Sequence, residues 1–208
     1  RFSMLASDFT EGTSLKATKL VFDYLPTAYA DGTNVTARDH MANASCLAGM
    51  AFANAFLGIN HSLAHKLGAF HHIAHGVANA LLLTYVIRYN AKEVPTRMGT
   101  FPQYEYPHTL RRYCEIAEYN GIKGKDDNET LDLFIEKLRD LKHAIGIKDS
   151  IREYGVDEKY FFDTLDEIAE QAFNDQCTGA NPRYPLISEL KKIYTLAYYG
   201  EDDKKVDF

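Results

Sequence analysis

The sequence predicts an all-α chain, and three observations carry that expectation. Apolar residues recur at three- and four-residue spacing along most of the 208 residues. No alternating run bounded by turns is long enough to propose a strand, and glycines and prolines punctuate the periodic stretches. At 46% hydrophobic content the chain can bury a core, so one domain over residues 1–208 is expected.

The elements follow in order. Residues 1–7 carry Phe2 and Leu5 on one helical face with nothing ahead of them to act as a cap. The expectation is a helix cut at its start, within a longer polypeptide. After a turn at Thr10 to Thr13, a helix is predicted from Ser14 to Tyr24, with Leu15, Leu20 and Val21 inward and Pro26 at its end. Thr36 and Asp39 have capping-box spacing and open a small-residue helix through Ala51 and Ala55. Its Ala and Gly content suits a central helix delivering His61 into a cleft.

His61 and His65 share a helix that Gly68 is expected to end, and the next helix runs from His75 to about Arg88. Pro95, Gly99, Pro102 and Pro107 make 91–107 a loop. Amphipathic helices are predicted over about 108–119, 129–144 and 157–173, with Gly121 and Gly146 as C-terminal caps. Pro185 fits the first turn of a last helix that stops at Gly200.

Charge and composition exclude several classes. A net charge of −6 and a pI near 5.7 leave no basic stripe for phosphates, so nucleic acid is not an expected partner. The longest apolar run, Val77 to Ile87, is far short of the roughly 20 residues a membrane span needs. Cys46, Cys114 and Cys177 are odd in number and scattered, which suits reduced thiols and a cytoplasmic location.

The chemistry concentrates in His61-Ser-Leu-Ala-His65-Lys-Leu-Gly-Ala-Phe-His71-His72-Ile-Ala-His75-Gly, where five of the chain's 8 histidines lie. Neutral imidazole is a common ligand for divalent transition metals, and His61 and His65, four apart, share one helix face. Without an HExxH or CxxC pattern, the common zinc-protease and zinc-finger signatures are absent. The motif contains no carboxylate, so further ligands must come from elsewhere. His71 and His72 are expected to pack or hydrogen-bond near the cleft.

The spacing resembles the HxxxHxxGxxxxxxHG signature of the iron-containing alcohol dehydrogenases, matched here by His61, His65, Gly68, His75 and Gly76. The flanks Ala51-Phe-Ala-Asn-Ala-Phe-Leu-Gly and Val77-Ala-Asn-Ala-Leu-Leu-Leu extend the likeness. So does Asp175-Gln-Cys-Thr-Gly-Ala-Asn-Pro-Arg-Tyr-Pro-Leu-Ile-Ser-Glu-Leu, which looks like the alcohol dehydrogenase half of bifunctional aldehyde-alcohol dehydrogenases. Ala74 departs from the family's usual Pro before the last His.

The resemblance implies the helical C-terminal domain of a dehydroquinate synthase-like fold, with the nucleotide-binding domain outside this sequence. It implies that His61 and His75 bind Fe(2+), with Zn a possible substitute. The family's other two ligands, an Asp and a His, would lie upstream of Arg1. His65 would meet NAD and substrate and relay a proton, while Phe52, Leu57 and Cys177 would line the pocket for a short alcohol or aldehyde. The reaction implied is reversible hydride transfer between ethanol or a similar primary alcohol and NAD. The bifunctional relatives form homo-oligomers or filaments, and Phe9, by default a core residue, is the alternative contact residue. Two other readings stand beside this one: a single-function diol dehydrogenase, and a noncatalytic helical assembly module inactive by itself.

Overall fold

The computed structural model describes residues 5–92, 94, 97 and 108–205, and every regular element among them is helical. The elements group into two compact units, one of residues Arg1–Phe56 with His108–Gly146, the other of Leu57–Pro107 with Ile147–Phe208.

The first unit holds α1 (Asp8–Ala30), α2 (Val35–Ala55), α5 (Thr109–Tyr119) and α6 (Asp127–Ala144). The sequence misplaces the start and end of α1. Ser7 and Thr10 form a reciprocal capping box, so the predicted turn at Thr10–Thr13 is the helix's first turns, where Thr13 and Ser14 hydroxyls bond back to carbonyls. Ser7 is therefore an extended cap, and the rest of the helix predicted for 1–7 lies mostly outside the described residues. Pro26 sits inside α1, which tolerates the missing backbone bond because it is packed along α2.

Asn34, accepting from the Ala37 N–H at 3.0 Å, caps α2 in place of the predicted Thr36 box. Ala37, Ala44, Ala51 and Ala55 form its buried stripe, while Val35, Met50 and Phe52 are exposed. Small residues here permit close approach to one neighbour, so α2 is not the all-round central helix the sequence suggested. Gly121 and Gly146 close α5 and α6 in the left-handed region (φ 77° and 74°), as predicted.

The second unit holds α3 (Ile59–His71), α4 (His75–Ala91), α7 (Glu158–Phe173) and α8 (Ile187–Tyr199). Ile59, Leu63 and Leu67, spaced by four, turn one face of α3 into the core and leave His61 and His65 on another. The central helix is α4, whose Ala78, Leu81, Leu82, Tyr85, Val86 and Tyr89 are buried around its circumference. Gly68 does not end α3. The helix runs to His71, and His72 takes the left-handed cap (φ 56°) with the Ile73 N–H returning to Leu67 O. Pro185 stands two residues before α8 rather than within it, and Gly200 ends that helix.

Candidate metal and proton-transfer site

Three of the five clustered histidines converge. His61 and His65 project from α3, and the turn at His72–Ala74 returns the chain so that His75, first residue of α4, meets them. Ring centroids lie 5.5 Å apart for His61 and His75, 5.4 Å for His65 and His75, and 6.2 Å for His61 and His65. The rings of His65 and His75 are stacked. Ala74 holds φ −55° and ψ 135°, torsions a proline would also adopt, so the departure from the family pattern leaves the turn intact.

A metal–nitrogen bond of about 2.0–2.1 Å puts two imidazole centroids that share one ion roughly 5 Å apart. The His61–His75 separation fits that requirement. Burial first, then the charges of His75 and His65, push His61 down to about 4 from its ordinary 6.5, so its ring nitrogens are neutral near pH 7. His75 Nε2 accepts from the Asn79 side-chain amide at 3.1 Å, and Asn60 braces that amide's oxygen at 2.8 Å. A cation bound at this nitrogen would replace the Asn79 bond.

The carboxylate missing from the motif arrives from 110 residues away: His65 Nδ1 lies 3.1 Å from Asp175 Oδ2, in the turn after α7. Lys66 Nζ donates to the same oxygen at 3.0 Å, and the Cys177 N–H donates to Oδ1 at 3.0 Å. Burial alone would raise the Asp175 pKa, but these three bonds outweigh it and hold the carboxyl well below the usual carboxylate range. Thr178 anchors the turn, with Oγ1 2.8 Å from Ser62 Oγ and donating to Ala172 O at 2.7 Å. Asp175 opens the stretch that resembles the bifunctional dehydrogenases, but the sequence shows no role for it. No local signal marks it, since its partner lies on another helix.

His65, Asp175 and Cys177 have potential ligand atoms within 4.8 Å of one another. They suit a metal poorly. Lys66 already neutralises the carboxylate, and burial, with Asp175 beside it, pushes the Cys177 thiol up to about 11. A protonated thiol is also a poor nucleophile, consistent with an apolar role for Cys177.

The remaining predicted residues are dispersed. Leu57 is half-buried directly before the Gly58 cap of α3. Phe52 belongs to α2 of the first unit, where it is exposed. His71 is placed away from the three rings, among Tyr160, Phe161 and Phe70, and His72 serves as the left-handed cap. Phe9 is 58% exposed, which removes the expectation that it is a core residue.

Residues 2–198 match the C-terminal region of the Fe-containing alcohol dehydrogenase family. The chain is 51% identical over 203 residues to the bifunctional aldehyde-alcohol dehydrogenase of Escherichia coli (strain K12), covering 96% of this chain and 23% of that protein. It is 51% identical over 193 residues to the aldehyde-alcohol dehydrogenase of Clostridium acetobutylicum, covering 92% of this chain and 22% of that one. Among solved structures, a 1,3-propanediol oxidoreductase superposes with a TM-score of 0.82 at 34% identity, over 95% of this chain and 47% of its own. The sequence thus spans about a quarter of these curated relatives.

Proposed function

The chain belongs to the iron-containing alcohol dehydrogenase family, and from that premise we propose that it is the metal- and substrate-binding part of an NAD-dependent dehydrogenase that interconverts short primary alcohols, ethanol among them, and aldehydes. The proposal places it in a bifunctional aldehyde-alcohol dehydrogenase of the cytoplasm. The observation that carries it is the convergence of His61, His65 and His75.

His61 and His75 are the residues to hold Fe(2+), or Zn in its place, together with ligands from outside this sequence. A divalent ion there would supply Lewis acidity toward the alcohol oxygen, and NAD would accept the hydride. His65 takes up the hydroxyl proton as the alcohol is oxidised and returns it in the reverse direction. Cys177, protonated and buried, and Leu57 contribute apolar wall, and Phe52 is assigned the same role.

The test is metal analysis and steady-state kinetics on the full-length enzyme. The expected result is about one iron per subunit, as a single mononuclear site implies, lost in His61→Ala and in His75→Ala, with ethanol-dependent NADH formation in the wild type. Full metal retention by both variants would overturn the ligand assignment. The likeness to a 1,3-propanediol oxidoreductase favours a second reading, a diol dehydrogenase, and a higher kcat/KM for 1,3-propanediol than for ethanol would select it.

Homo-oligomers or filaments are part of the same proposal. The exposure of Phe9 favours its role as a contact residue there. Filaments of the Phe9→Ala full-length protein that look unchanged by electron microscopy would remove that role.

A further inference from the structure

Asp175 is held from three directions. Its Oδ1 accepts the Cys177 N–H, while its Oδ2 is shared between Lys66 Nζ at 3.0 Å and His65 Nδ1 at 3.1 Å. The turn that carries it is tied to α3 through Thr178 and Ser62, so the carboxylate cannot swing away without breaking several bonds. An ionised carboxylate only accepts. The hydrogen between the two groups therefore belongs to His65 Nδ1, and a neutral ring then carries no proton on Nε2.

We infer that Asp175 is the positioning residue of the proton relay: it fixes His65 as the Nδ1–H tautomer, and Lys66 with the Cys177 N–H holds the carboxylate in place. Nε2 is then the only ring atom able to take the substrate's proton. The ring's orientation is set by the same bond and by its stack on His75. This inference rests on the relay role proposed for His65.

Neutron diffraction from deuterated crystals of the full-length enzyme decides the tautomer without any substitution. A deuteron on His65 Nδ1 is expected, and one on Nε2 alone would overturn the inference. Asp175→Asn keeps the size of the side chain, and its oxygen can still accept from the Cys177 N–H. With its oxygen kept by the Cys177 N–H, its amide nitrogen faces both His65 Nδ1 and Lys66 Nζ as a donor; Lys66 then gives up its bond and the ring proton moves to Nε2.

The expected result is a loss of roughly 10–100-fold in kcat, with the KM for the alcohol unchanged and the deuteron relocated. The double variant with His65→Ala should be no slower than His65→Ala alone. Loss of rate in His65→Ala but not in Asp175→Asn would overturn the positioning role and leave the relay standing. Full kcat in His65→Ala would remove both. Should Asp175→Asn fail to fold, the wild-type neutron map still decides.

Discussion

At one end of residues 175–189 Asp175 meets the His65 imidazole of the histidine cluster, and at the other the chain inserts Arg183, with no exposed surface, beneath α4. The Arg183 guanidinium stacks 4.0 Å from the Tyr89 ring centre, donates to Tyr89 O at 3.0 Å and pairs with Glu189 Oε1 at 2.7 Å. Glu189 also accepts both terminal nitrogens of Arg97, the Tyr89 hydroxyl and the Leu186 N–H. Asn181 closes the corner by donating to Asn90 Oδ1 and Arg183 O. Charges there are opposite and each carboxylate oxygen is saturated. In the histidine cluster like groups face one another, and their mutual repulsion adds to burial in keeping His61 neutral. The difference separates two uses of buried polarity: opposite charges gathered on one saturated carboxylate hold a loop in place, while converging imidazoles, only some of whose nitrogens are bonded, have capacity left for a ligand.

The largest expected effect tests that separation directly. Glu189→Ala leaves Arg183 buried and unpaired and should destabilise the second unit by about 3–5 kcal/mol, measured by denaturant unfolding. His61→Ala in the metal-free protein should stay within about 1 kcal/mol of wild type yet lose metal binding. If the two variants lose similar stability, the two clusters do not differ in kind.

How far each region could be read from sequence follows from the same contrast. His61, His65 and His75 were legible because their partners are near in sequence, four residues apart on a helix or one tight turn away. The pairs of Asp175 with His65 and Lys66, and of Glu189 with Arg97 and Tyr89, were not, since each joins segments about 90–110 residues apart, and no periodicity encodes those pairings. Helix existence was legible for the same local reason, whereas several ends were not. Tertiary packing carried α1 through Pro26, and His72 rather than Gly68 supplied the left-handed cap.

Gly58 provides a finer test, because it joins the two regions: it caps α3, and a Cβ there would lie 2.8 Å from Asn181 Oδ1. That oxygen accepts the Ile59 N–H at 3.3 Å, and Asn181 is buried with its amide committed elsewhere. Gly58→Ala should cost about 1–3 kcal/mol and disturb the start of the histidine-bearing helix. An unchanged unfolding midpoint would mean that the corner yields easily and is not the rigid partner in the comparison.

Acid should dismantle the regions in separate windows. His61 in the metal-free protein is held down to about 4 against an ordinary 6.5, so the unfolded chain binds its proton first. That contribution to stability is present above pH 6.5 and is lost as pH falls from 6.5 through 4. Burial would raise Glu189, but Arg97, the Leu186 N–H, Tyr89 and Arg183 bring it down to about 2 from 4.5, so its contribution is present above pH 4.5 and lost between 4.5 and 2. Unfolding curves across pH should show His61→Ala flattening the upper window and Glu189→Gln only the lower. A His61→Ala profile that follows wild type between pH 6.5 and 4 would break the assignment.

The smallest effect concerns the turn that brings His75 back to α3. Ala74 already holds φ −55° and ψ 135°, inside the range that a proline ring fixes. Proline there removes freedom mainly from the unfolded chain, so Ala74→Pro should stabilise the protein by about 0.4–1 kcal/mol, seen as a rise in Tm. The histidine geometry depends on this turn and the Arg183 corner does not, so the substitution should also tighten metal binding while leaving the acid window of Glu189 unmoved. A lower Tm would show that the preceding Ile73 cannot meet the backbone restriction that proline imposes, and that alanine is the residue this turn requires.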